Sequence, residues 1–328
     1  MKIIPFLSVL VISFIVPSSL LGDHRFSIAT GAGFLSGTSE EIVYQDTVDN
    51  IVLSQLSWEM KPLYYMSIEL DYAPADRFKK ATVFLDLSFK FGLEGITGTM
   101  EDRDWQDYSN TNALTNYSTH DNYTKDAFIL DGEAGFLLPL SSRYLFKVSG
   151  GFSYMTFSWN ARNGYLQYAK TEGGYYDTSV YPWSDSLPKK YLYGPVISYS
   201  QQWLNAFSGF SFSMPVLQLF TVELGLKIGT VLYCVTCDDH YLRQLQFDDF
   251  VSGGLLVEPK LMLSLSKRNI DVVMYVSYRS IKGTQGATYY QQTGYQQSAS
   301  TQTVFKSSGG GGTGFSALDT GFTLKLSF

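Results

Sequence analysis

Hydrophobic and polar residues alternate along most of the chain after residue 22. The last stretch, "GFTLKLSF", shows the pattern clearly: Phe322, Leu324, Leu326 and Phe328 fall on one face, and the polar residues between them fall on the other. A period of two predicts β-strands that are apolar on one side. About ten such segments follow one another, and none contains the run of about 18 apolar residues that a membrane helix needs. The pattern therefore predicts an all-β chain.

Connections between these segments alternate between short and long. The short ones lie at 73–80, 139–143, 213–216 and 266–269, and the long ones at roughly 37–49, 100–124, 161–189, 237–250 and 285–312. Outer-membrane barrels have short periplasmic turns and long extracellular loops, whereas a soluble β-sandwich with the same strand period has no reason to alternate its loop lengths. The sequence therefore predicts a transmembrane antiparallel β-barrel of about ten strands, with long extracellular loops and short periplasmic turns.

The two ends of the chain agree with an outer-membrane location. Residues 1–22, "MKIIPFLSVLVISFIVPSSLLG", have the charged, apolar and small-residue order of a secretory signal peptide. A helical anchor is the alternative, although the apolar run is short for a bilayer span. A terminal Phe328 after a strand with one apolar face resembles the C-terminal signal of bacterial outer-membrane barrels. We expect a signal peptide at 1–22 and a single barrel domain at 23–328.

Composition narrows the class of protein and its partners. Aromatic residues make up 16% of the chain and charged residues only 16%, below the usual ~25%. This mixture suits a barrel with a lipid-facing surface and aromatic girdles. The net charge of −6 argues against nucleic acid as a partner. Two cysteines are too few for a disulfide scaffold.

Two acidic stretches are candidates for chemistry. In "EDRDWQD", Asp102 and Asp104 are two residues apart, so on a continuing strand they share a face and repel each other. In "CDDHY", Asp238 and His240 have the same spacing, and a carboxylate beside an imidazole prepares it as a general base. Taken singly, a solvated acidic loop and a freely titrating histidine are the more common explanations. With both chain ends in the periplasm, however, both stretches fall at the extracellular ends of strands.

A metal or redox site is the competing interpretation of the second stretch. Cys234 and Cys237 next to His240 have a spacing typical of zinc ligands. Three positions along a strand turn the two cysteines to opposite faces, however, and the chain contains no other cysteine. We therefore expect neither a metal nor another cofactor, while a zinc site and a disulfide stay open as alternatives.

Ser118 and His120 form a third candidate, within "YSTHDNYTKD". They lie in the same predicted loop as Asp102, so a Ser–His–Asp nucleophile is conceivable. No Gly-x-Ser-x-Gly elbow surrounds Ser118. Nothing in the local sequence therefore positions this serine for attack.

Taken together, these features resemble the omptin family of outer-membrane proteases. The resemblance rests on "DRDW" in the second outer loop, "STH" after it, "DDHY" in the fourth outer loop and "SQLSWEMKP" in the second strand. It implies an endopeptidase that cleaves extracellular polypeptides. It also implies attack by an activated water without a covalent intermediate, and no metal.

The resemblance further implies a role for each residue. His240 would act as the general base, and Asp238 would orient it and stabilise the imidazolium. Asp102 would hold the attacking water from the far side of the groove. Asp104 would tune this pair, or polarise the tetrahedral centre when it carries the shared proton. The serine and histidine of the second outer loop would have a supporting role at most.

The sequence departs from the family pattern in two features. Members of the family that cleave between basic residues have two acidic groups in the pocket for the residue before the scissile bond. One of these groups matches Glu41. The other falls at Thr236, which has no charge. We expect Glu41 to favour cationic side chains, with less strict dibasic cleavage. The arginines that bind lipopolysaccharide fall at Thr156 and Gln202. The protein therefore either works without this lipid or binds it differently.

Two other functions stay open on the sequence alone. A catalytically silent barrel could act as an adhesin through the same long loops, and it would not need the four acidic and basic groups at matched positions. A small porin is the weaker alternative, because a ten-strand barrel is too narrow for an open channel unless its lumen is unusually free of side chains.

Overall fold

The computed structural model describes residues 24–45, 51–74, 80–293 and 304–328. Its strands in chain order are β1 His24–Tyr44, β2 Val52–Pro74, β3 Thr82–Gly92, β4 Gly95–Asp104, β5 Asn116–Pro139, β6 Leu145–Tyr168, β7 Thr171–Glu172, β8 Tyr175–Tyr176, β9 Lys190–Tyr191, β10 Pro195–Leu217, β11 Phe220–His240, β12 Leu245–Val251, β13 Gly254–Lys267, β14 Ile270–Gly283, β15 Gly286–Gln292 and β16 Phe305–Ser327. In this part of the chain, no helix is long and apolar enough to cross a membrane. The predicted signal peptide at 1–22 lies outside the described residues.

The described residues form ten long antiparallel strands that close into a barrel. β3 continues into β4, β12 into β13 and β14 into β15 after short breaks, so each of these pairs acts as one long strand beside β1, β2, β5, β6, β10, β11 and β16. Neighbouring long strands pair in sequence order, and β1 pairs with β16 from Ser27–Ser327 to Val43–Gly311, which closes the ring. The prediction of an antiparallel β-barrel of about ten strands is confirmed.

An apolar band surrounds the lower barrel, which is the end that carries the short turns. On β16, Phe322, Leu324 and Leu326 are exposed, whereas Thr323 is 1% exposed and faces the lumen. Exposed apolar side chains occupy the same band on other strands, among them Ile28, Ile68, Leu85, Phe136, Phe210, Leu224, Leu265 and Met274. A continuous apolar surface of this kind is stable against lipid and unfavourable in water. The band therefore marks the membrane-spanning part of the strands.

Paired charges fill the lumen inside this band. The Arg279 guanidinium donates to Glu258 and to Asp131, each across 2.7 Å, and Lys147 donates to Asp86 across 2.7 Å. A buried ion without a partner would be strongly destabilising, so these side chains are stable only as pairs. Because β5 and β14 are not neighbours in the ring, Arg279 joins opposite walls and crosses the lumen. This arrangement leaves no room for the open channel of a porin.

A stack of buried aromatic side chains lies above the ion pairs. Trp58 stacks on Trp159 and on Tyr199, with ring centroids 6.0 and 5.4 Å apart, and Phe157 stacks on Trp159 at 5.4 Å. Along β6, the two stacked residues follow directly after the residues that contact the lumen arginine. The stack therefore forms an apolar floor beneath the upper opening, which is the end with the long loops.

The strands extend beyond the apolar band further than predicted. β11 reaches His240, so the predicted loop at 237–250 shrinks to 241–244, and the one at 100–124 shrinks to 105–115. The other predicted long loops also begin later along the chain. Above the membrane, water contacts the outer face and the lumen is polar, so the alternation of apolar and polar residues fades while the backbone hydrogen bonds continue. The candidate residues therefore lie on strands rather than in loops.

The outer face of these upper segments is polar. Glu101, Arg103, Asp239 and Asp248 point outward, because they alternate with buried residues on β4, β11 and β12. Charged side chains on the lipid face of a barrel are destabilising. The upper segments of these strands therefore stand outside the bilayer.

Removing the lumen arginine should destabilise the barrel strongly. Arg279→Met leaves Asp131 and Glu258 as buried carboxylates without their cation, and breaking a buried pair costs about 3–5 kcal/mol. Lys61→Met is the control, because the Lys61–Glu59 pair is partly exposed and such pairs contribute about 0–1 kcal/mol. Urea unfolding in detergent micelles, followed by the gel mobility of the folded barrel, measures both losses. Equal losses in the two variants would contradict this account of the lumen.

Candidate functional site

The two predicted acidic motifs face the lumen at the upper opening. Asp102 and Asp104 lie on β4, and Asp238 and His240 lie on β11; all four side chains are largely buried. β4 pairs with β2 and β5, whereas β11 pairs with β10, β12 and β13, so the motifs belong to separate walls. The spacing of two within each motif turns both of its side chains to the same face, as predicted.

Neighbouring strands fix the carboxylates of the first wall. Ser54 of β2 donates to Asp102 Oδ1 across 3.2 Å, and Asn116 of β5 donates to Asp104 Oδ2 across 3.0 Å. Ser118 lies opposite Asp102 in the register of β4 and β5. The two aspartates are thus held at the lumen surface by one polar side chain from each flanking strand.

The pKa of Asp102 is raised to about 7. Burial is the main cause, and repulsion by Asp104 adds to it, while the positive charges of His240 and Arg243 and the hydrogen bond from Ser54 act in the opposite direction. At neutral pH this carboxyl group therefore exists in both the protonated and the ionised form. It can accept a hydrogen bond in one state and donate one in the other.

The second wall carries an aspartate–histidine pair. His240 Nε2 lies 2.6 Å from Asp238 Oδ2, and the imidazole edge packs against the ring of Phe247 at 5.5 Å between centroids. Burial disfavours the imidazolium, but the adjacent Asp238 carboxylate outweighs this effect and raises the pKa of His240. With Nε2 occupied by the carboxylate, Nδ1 is the nitrogen that can exchange a proton with a bound molecule.

Arg243 connects the two walls electrostatically. It lies in the short turn between β11 and β12, it interacts with the Tyr168 hydroxyl, and its charge acts on Asp102 and Asp104. A cation at this point partly offsets the repulsion within the aspartate pair. Arg243 belongs to no recognisable sequence motif. It reaches the site because the register of β11 and β12 determines the position of the turn between them.

Ser118 and His120 form a hydrogen-bonded pair on β5, beside Asp102 of the first wall. Ser118 Oγ lies 3.0 Å from His120 Nε2, while His120 Nδ1 contacts the backbone carbonyl of Asn163. Burial lowers the pKa of His120, so the neutral ring donates from Nδ1 and accepts from the serine. Gly164 is required here, because it has φ +87° and a Cβ would lie 2.9 Å from His120 Nδ1. The histidine is oriented by a carbonyl and not by a carboxylate, unlike a Ser–His–Asp triad.

A group of buried carboxylates lies next to the aspartate–histidine pair. Glu41 of β1 is 2% exposed and faces Asp238 at hydrogen-bond range, and apart from each other neither Glu41 Oε2 nor Asp238 Oδ1 has a partner among the described residues. Asp249 of β12 accepts hydrogen bonds from Thr236 across 3.2 Å and from Thr288 across 2.6 Å. Burial and the charges of Asp238 and Asp249 raise the pKa of Glu41 well above its usual range. Asp249 was not among the predicted site residues.

The two cysteines lie on opposite faces of β11, as predicted. Cys234 is buried toward the lumen, Cys237 is partly exposed on the outer face, and both are free thiols. The Cys237 sulfur accepts a hydrogen bond from the side-chain amide of Gln246. In this arrangement a single metal ion cannot bind both sulfur atoms, and a disulfide cannot join them.

Thr156 and Gln202 are direct partners in the register of β6 and β10. Both alternate with buried residues and point to the outer face. Neither side chain is charged, so this part of the surface offers no ion pair for a lipid phosphate.

Comparison with known proteins tests the resemblance seen in the sequence. The omptin family model matches residues 23–326. The chain is 26% identical to the plasminogen activator of Yersinia pestis over 248 residues, or 71% of this chain and 69% of the relative. It is 26% identical to the outer membrane protease OmpP of Escherichia coli (strain K12) over 243 residues, or 70% of this chain and 69% of the relative.

A solved structure shares the fold. The crystal structure of the outer membrane protease OmpT from Escherichia coli matches with a TM-score of 0.79 at 20% sequence identity, and the match covers 93% of this chain and 97% of that chain. The family match and the shared barrel agree with the apolar band and the closed ring of strands described above. This chain is a bacterial outer-membrane β-barrel and belongs to the omptin family.

Proposed function

We propose that this protein is an endopeptidase that hydrolyses extracellular polypeptides with a water molecule activated between the two walls of the barrel opening. The observation that carries the proposal is the buried pair of His240 and Asp238, 2.6 Å apart, on the wall opposite Asp102 and Asp104. Two relatives are named as a plasminogen activator and an outer membrane protease. These names support peptide hydrolysis as the class of reaction.

His240 acts as the general base. Its Nε2–H donates to Asp238, which leaves the lone pair of Nδ1 free to take a proton from water. As the proton leaves, the water oxygen forms a bond to the scissile carbonyl carbon, and the carbonyl π electrons move onto oxygen. The Asp238 carboxylate stabilises the imidazolium that results, as in other carboxylate–histidine pairs.

The aspartate pair acts from the opposite wall. Ionised Asp102 accepts a hydrogen bond from the attacking water and orients it toward the carbonyl. Because the pKa of Asp102 is raised to about 7, the pair retains one proton in much of the population at neutral pH. Asp104 tunes the pair, because repulsion by its carboxylate adds to the rise in the pKa of Asp102.

Collapse of the intermediate completes the reaction. The His240 imidazolium returns its proton to the leaving amine nitrogen, the C–N bond breaks, and a carboxylic acid and an amine are released. The water supplies both the new hydroxyl of the acid and the proton of the amine, so no covalent intermediate forms on the protein. We assign no attacking role to Ser118, because its partner His120 is oriented by the Asn163 carbonyl and not by a carboxylate; both residues support the first wall.

Glu41 favours substrates with a cationic side chain beside the scissile bond. Its buried carboxyl lies next to Asp238, which is in contact with the base, so a side chain bound there is close to the reacting carbonyl. An adhesin would not need a general base oriented by a buried carboxylate, facing an aspartate pair across the opening. The geometry therefore favours the peptidase over the adhesin.

Replacing the reactive side chain of either wall should abolish most of the activity. His240→Ala and Asp102→Asn should each lower kcat/KM for a fluorogenic peptide by about 10²–10⁴, the range of general acid–base catalysis. Asp239→Asn is the matched control on β11, because its side chain is on the outer face and an exposed charge contributes about 0–1 kcal/mol. Gel mobility verifies that each variant is folded. Undiminished cleavage by both wall variants would rule out this mechanism.

The pH dependence should report the protonation of His240. The base must be neutral, so kcat/KM should rise with pH through a midpoint above the ordinary value of 6.5. Asp238→Asn removes the negative charge that raises this pKa, so the midpoint should move to lower pH while the maximum rate falls. Asp239→Asn, on the outer face, should move the midpoint less than Asp238→Asn does. A midpoint that stays fixed or moves upward in Asp238→Asn would contradict the role given to this pair.

A further inference from the structure

We propose that Asp107 is a positioning residue for the aspartate pair, because it fastens the extracellular segment 169–194, which connects β6 to β10, to the turn that follows β4. The proposal rests on the peptidase function proposed above, since Asp102 and Asp104 are the residues that it positions. Asp107 belongs to the same "EDRDWQD" stretch as this pair, but it takes no part in the reaction itself. Its side chain is buried, with 1% exposed. A buried carboxylate is stable only when hydrogen-bond donors surround it.

Four hydrogen bonds hold the Asp107 carboxylate. Oδ1 accepts from the backbone N–H and the hydroxyl of Ser109, across 2.9 and 2.6 Å. Oδ2 accepts from the backbone N–H and the hydroxyl of Thr178, across 2.8 and 2.7 Å. The side chain of Asn110 also donates to the Thr178 hydroxyl, across 3.1 Å. Because Thr178 lies 71 residues further along the chain, this contact, called the latch below, joins two separate extracellular segments.

The latch lies next to the last rung of the first wall. This rung is the row of register partners Asp104, Asn116 and Tyr168. β4 ends at the first of these residues, β5 begins at the second, and β6 ends at the third. The rung therefore carries one member of the aspartate pair at the very end of its sheet.

Few backbone bonds close the sheet beyond this rung. Thr115 donates its N–H and its hydroxyl to the Asp104 carbonyl, across 2.8 and 2.9 Å, and the Ala169 N–H donates to the Thr115 carbonyl across 2.8 Å. From these residues the chain leaves the sheet in two directions, into the turn 105–115 and into the segment that contains Thr178. The latch ties these two departing segments to each other.

The end of a sheet opens more easily than its middle, because local opening costs least where few neighbours support the backbone bonds. Opening of the last rung would displace Asp104 and also Asn116, which orients the Asp104 carboxylate across 3.0 Å. It would also change the repulsion that Asp104 exerts on Asp102. By restraining both segments that leave the rung, the latch keeps the aspartate pair in its reactive arrangement.

The latch stays intact over the pH range in which the site titrates. The hydrogen bonds from Ser109 and Thr178 lower the pKa of Asp107 well below its usual range. Its carboxylate therefore remains ionised while Asp102 and His240 change their protonation. The effect of a latch variant on the rate consequently reports the loss of hydrogen bonds and not the titration of Asp107.

Replacing the latch carboxylate should slow the chemical step. Asp107→Asn puts an NH2 group, which cannot accept a hydrogen bond, in place of one carboxylate oxygen. We expect kcat for the fluorogenic peptide to fall by about 10–100-fold, since a displacement of about 1 Å can cost about 100-fold in rate. KM should stay near the wild-type value, because the aspartate pair acts on the transition state and Glu41 lies beside the other wall. A rise in KM with an unchanged kcat would overturn the positioning role.

Asp177→Asn is the matched control in the same segment. Asp177 is the exposed neighbour of Thr178, and its carboxylate accepts hydrogen bonds from Ser179 within its own turn. This variant should retain the wild-type kcat. A loss equal to that of Asp107→Asn would contradict the latch.

Two variants of Thr178 separate hydrogen bonding from side-chain shape. Thr178→Ser keeps the hydroxyl and should retain most of the wild-type kcat. Thr178→Val keeps the shape but lacks the hydroxyl, so its kcat should fall, though less than in Asp107→Asn, because the backbone N–H still donates to Oδ2. Equal kcat values in the serine and valine variants would count against the latch.

Hydrogen exchange tests the latch without turnover. The N–H groups of Thr115 and Ala169 close the last rung, and they exchange only when the rung opens. In Asp107→Asn, folded in detergent micelles, mass spectrometry should show their exchange about 10–100-fold faster than in the wild type, the range for a lost hydrogen bond to a charged group. Asp177→Asn should exchange like the wild type.

The two measurements distinguish the latch from the peptidase proposal. A wild-type protein that cleaves no peptide would remove the peptidase proposal, while the exchange rates would still judge the latch. Unchanged exchange in Asp107→Asn would overturn the latch whether or not cleavage occurs. Faster exchange together with a wild-type kcat would overturn the positioning role of Asp107.

Discussion

Closure of the sheet into a ring leaves each side chain only two directions, into the lumen or out toward lipid and solvent. The pairing of β1 with β16 enforces this along the full height of the barrel, because a shift of one residue would turn every side chain to the other face. All charged residues that face inward must then share one narrow space. An inward-facing charge is stable only when an opposite charge or a hydrogen-bond partner faces it in the lumen. The two ends of the lumen meet this requirement to different extents.

The lumen separates into layers with different electrostatics. At the level of the membrane, Arg279 and Lys147 neutralise inward carboxylates, and Arg279 joins opposite walls. The aromatic stack around Trp159 lies above them and keeps these cations apart from the upper opening. Above the stack, carboxylates gather with fewer cations nearby, so burial and mutual repulsion raise the pKa of Asp102 and Glu41. The chemistry proposed for the site follows from this incomplete neutralisation.

Much of the fold was predictable, because alternation with a period of two is a property of each strand by itself. The same period placed Asp102 beside Asp104 and Asp238 beside His240, and it turned Cys234 away from its neighbour cysteine. The strand ends were misplaced, because residues above the membrane meet water and a polar lumen and no longer alternate by hydrophobicity. The predicted loop around His240 is therefore mostly strand.

Residues that depend on pairing between strands could not be predicted. Asp249 reaches the site because it is the register partner of Thr236, and Arg243 reaches it because the turn after β11 is short. Ser54 and Asn116 hold the aspartate pair from the flanking strands. A single sequence does not reveal these registers, since a shift by two residues would preserve the same pattern of faces while bringing different side chains together.

The central claim is that both walls act on one water molecule. A double-mutant cycle in kcat/KM with Asp102→Asn, His240→Ala and the combined variant tests it most directly. Residues that act as a unit are strongly non-additive, so the combined variant should be about as slow as the slower single variant. If instead the two losses multiply in the combined variant, the walls act independently and the shared water is contradicted.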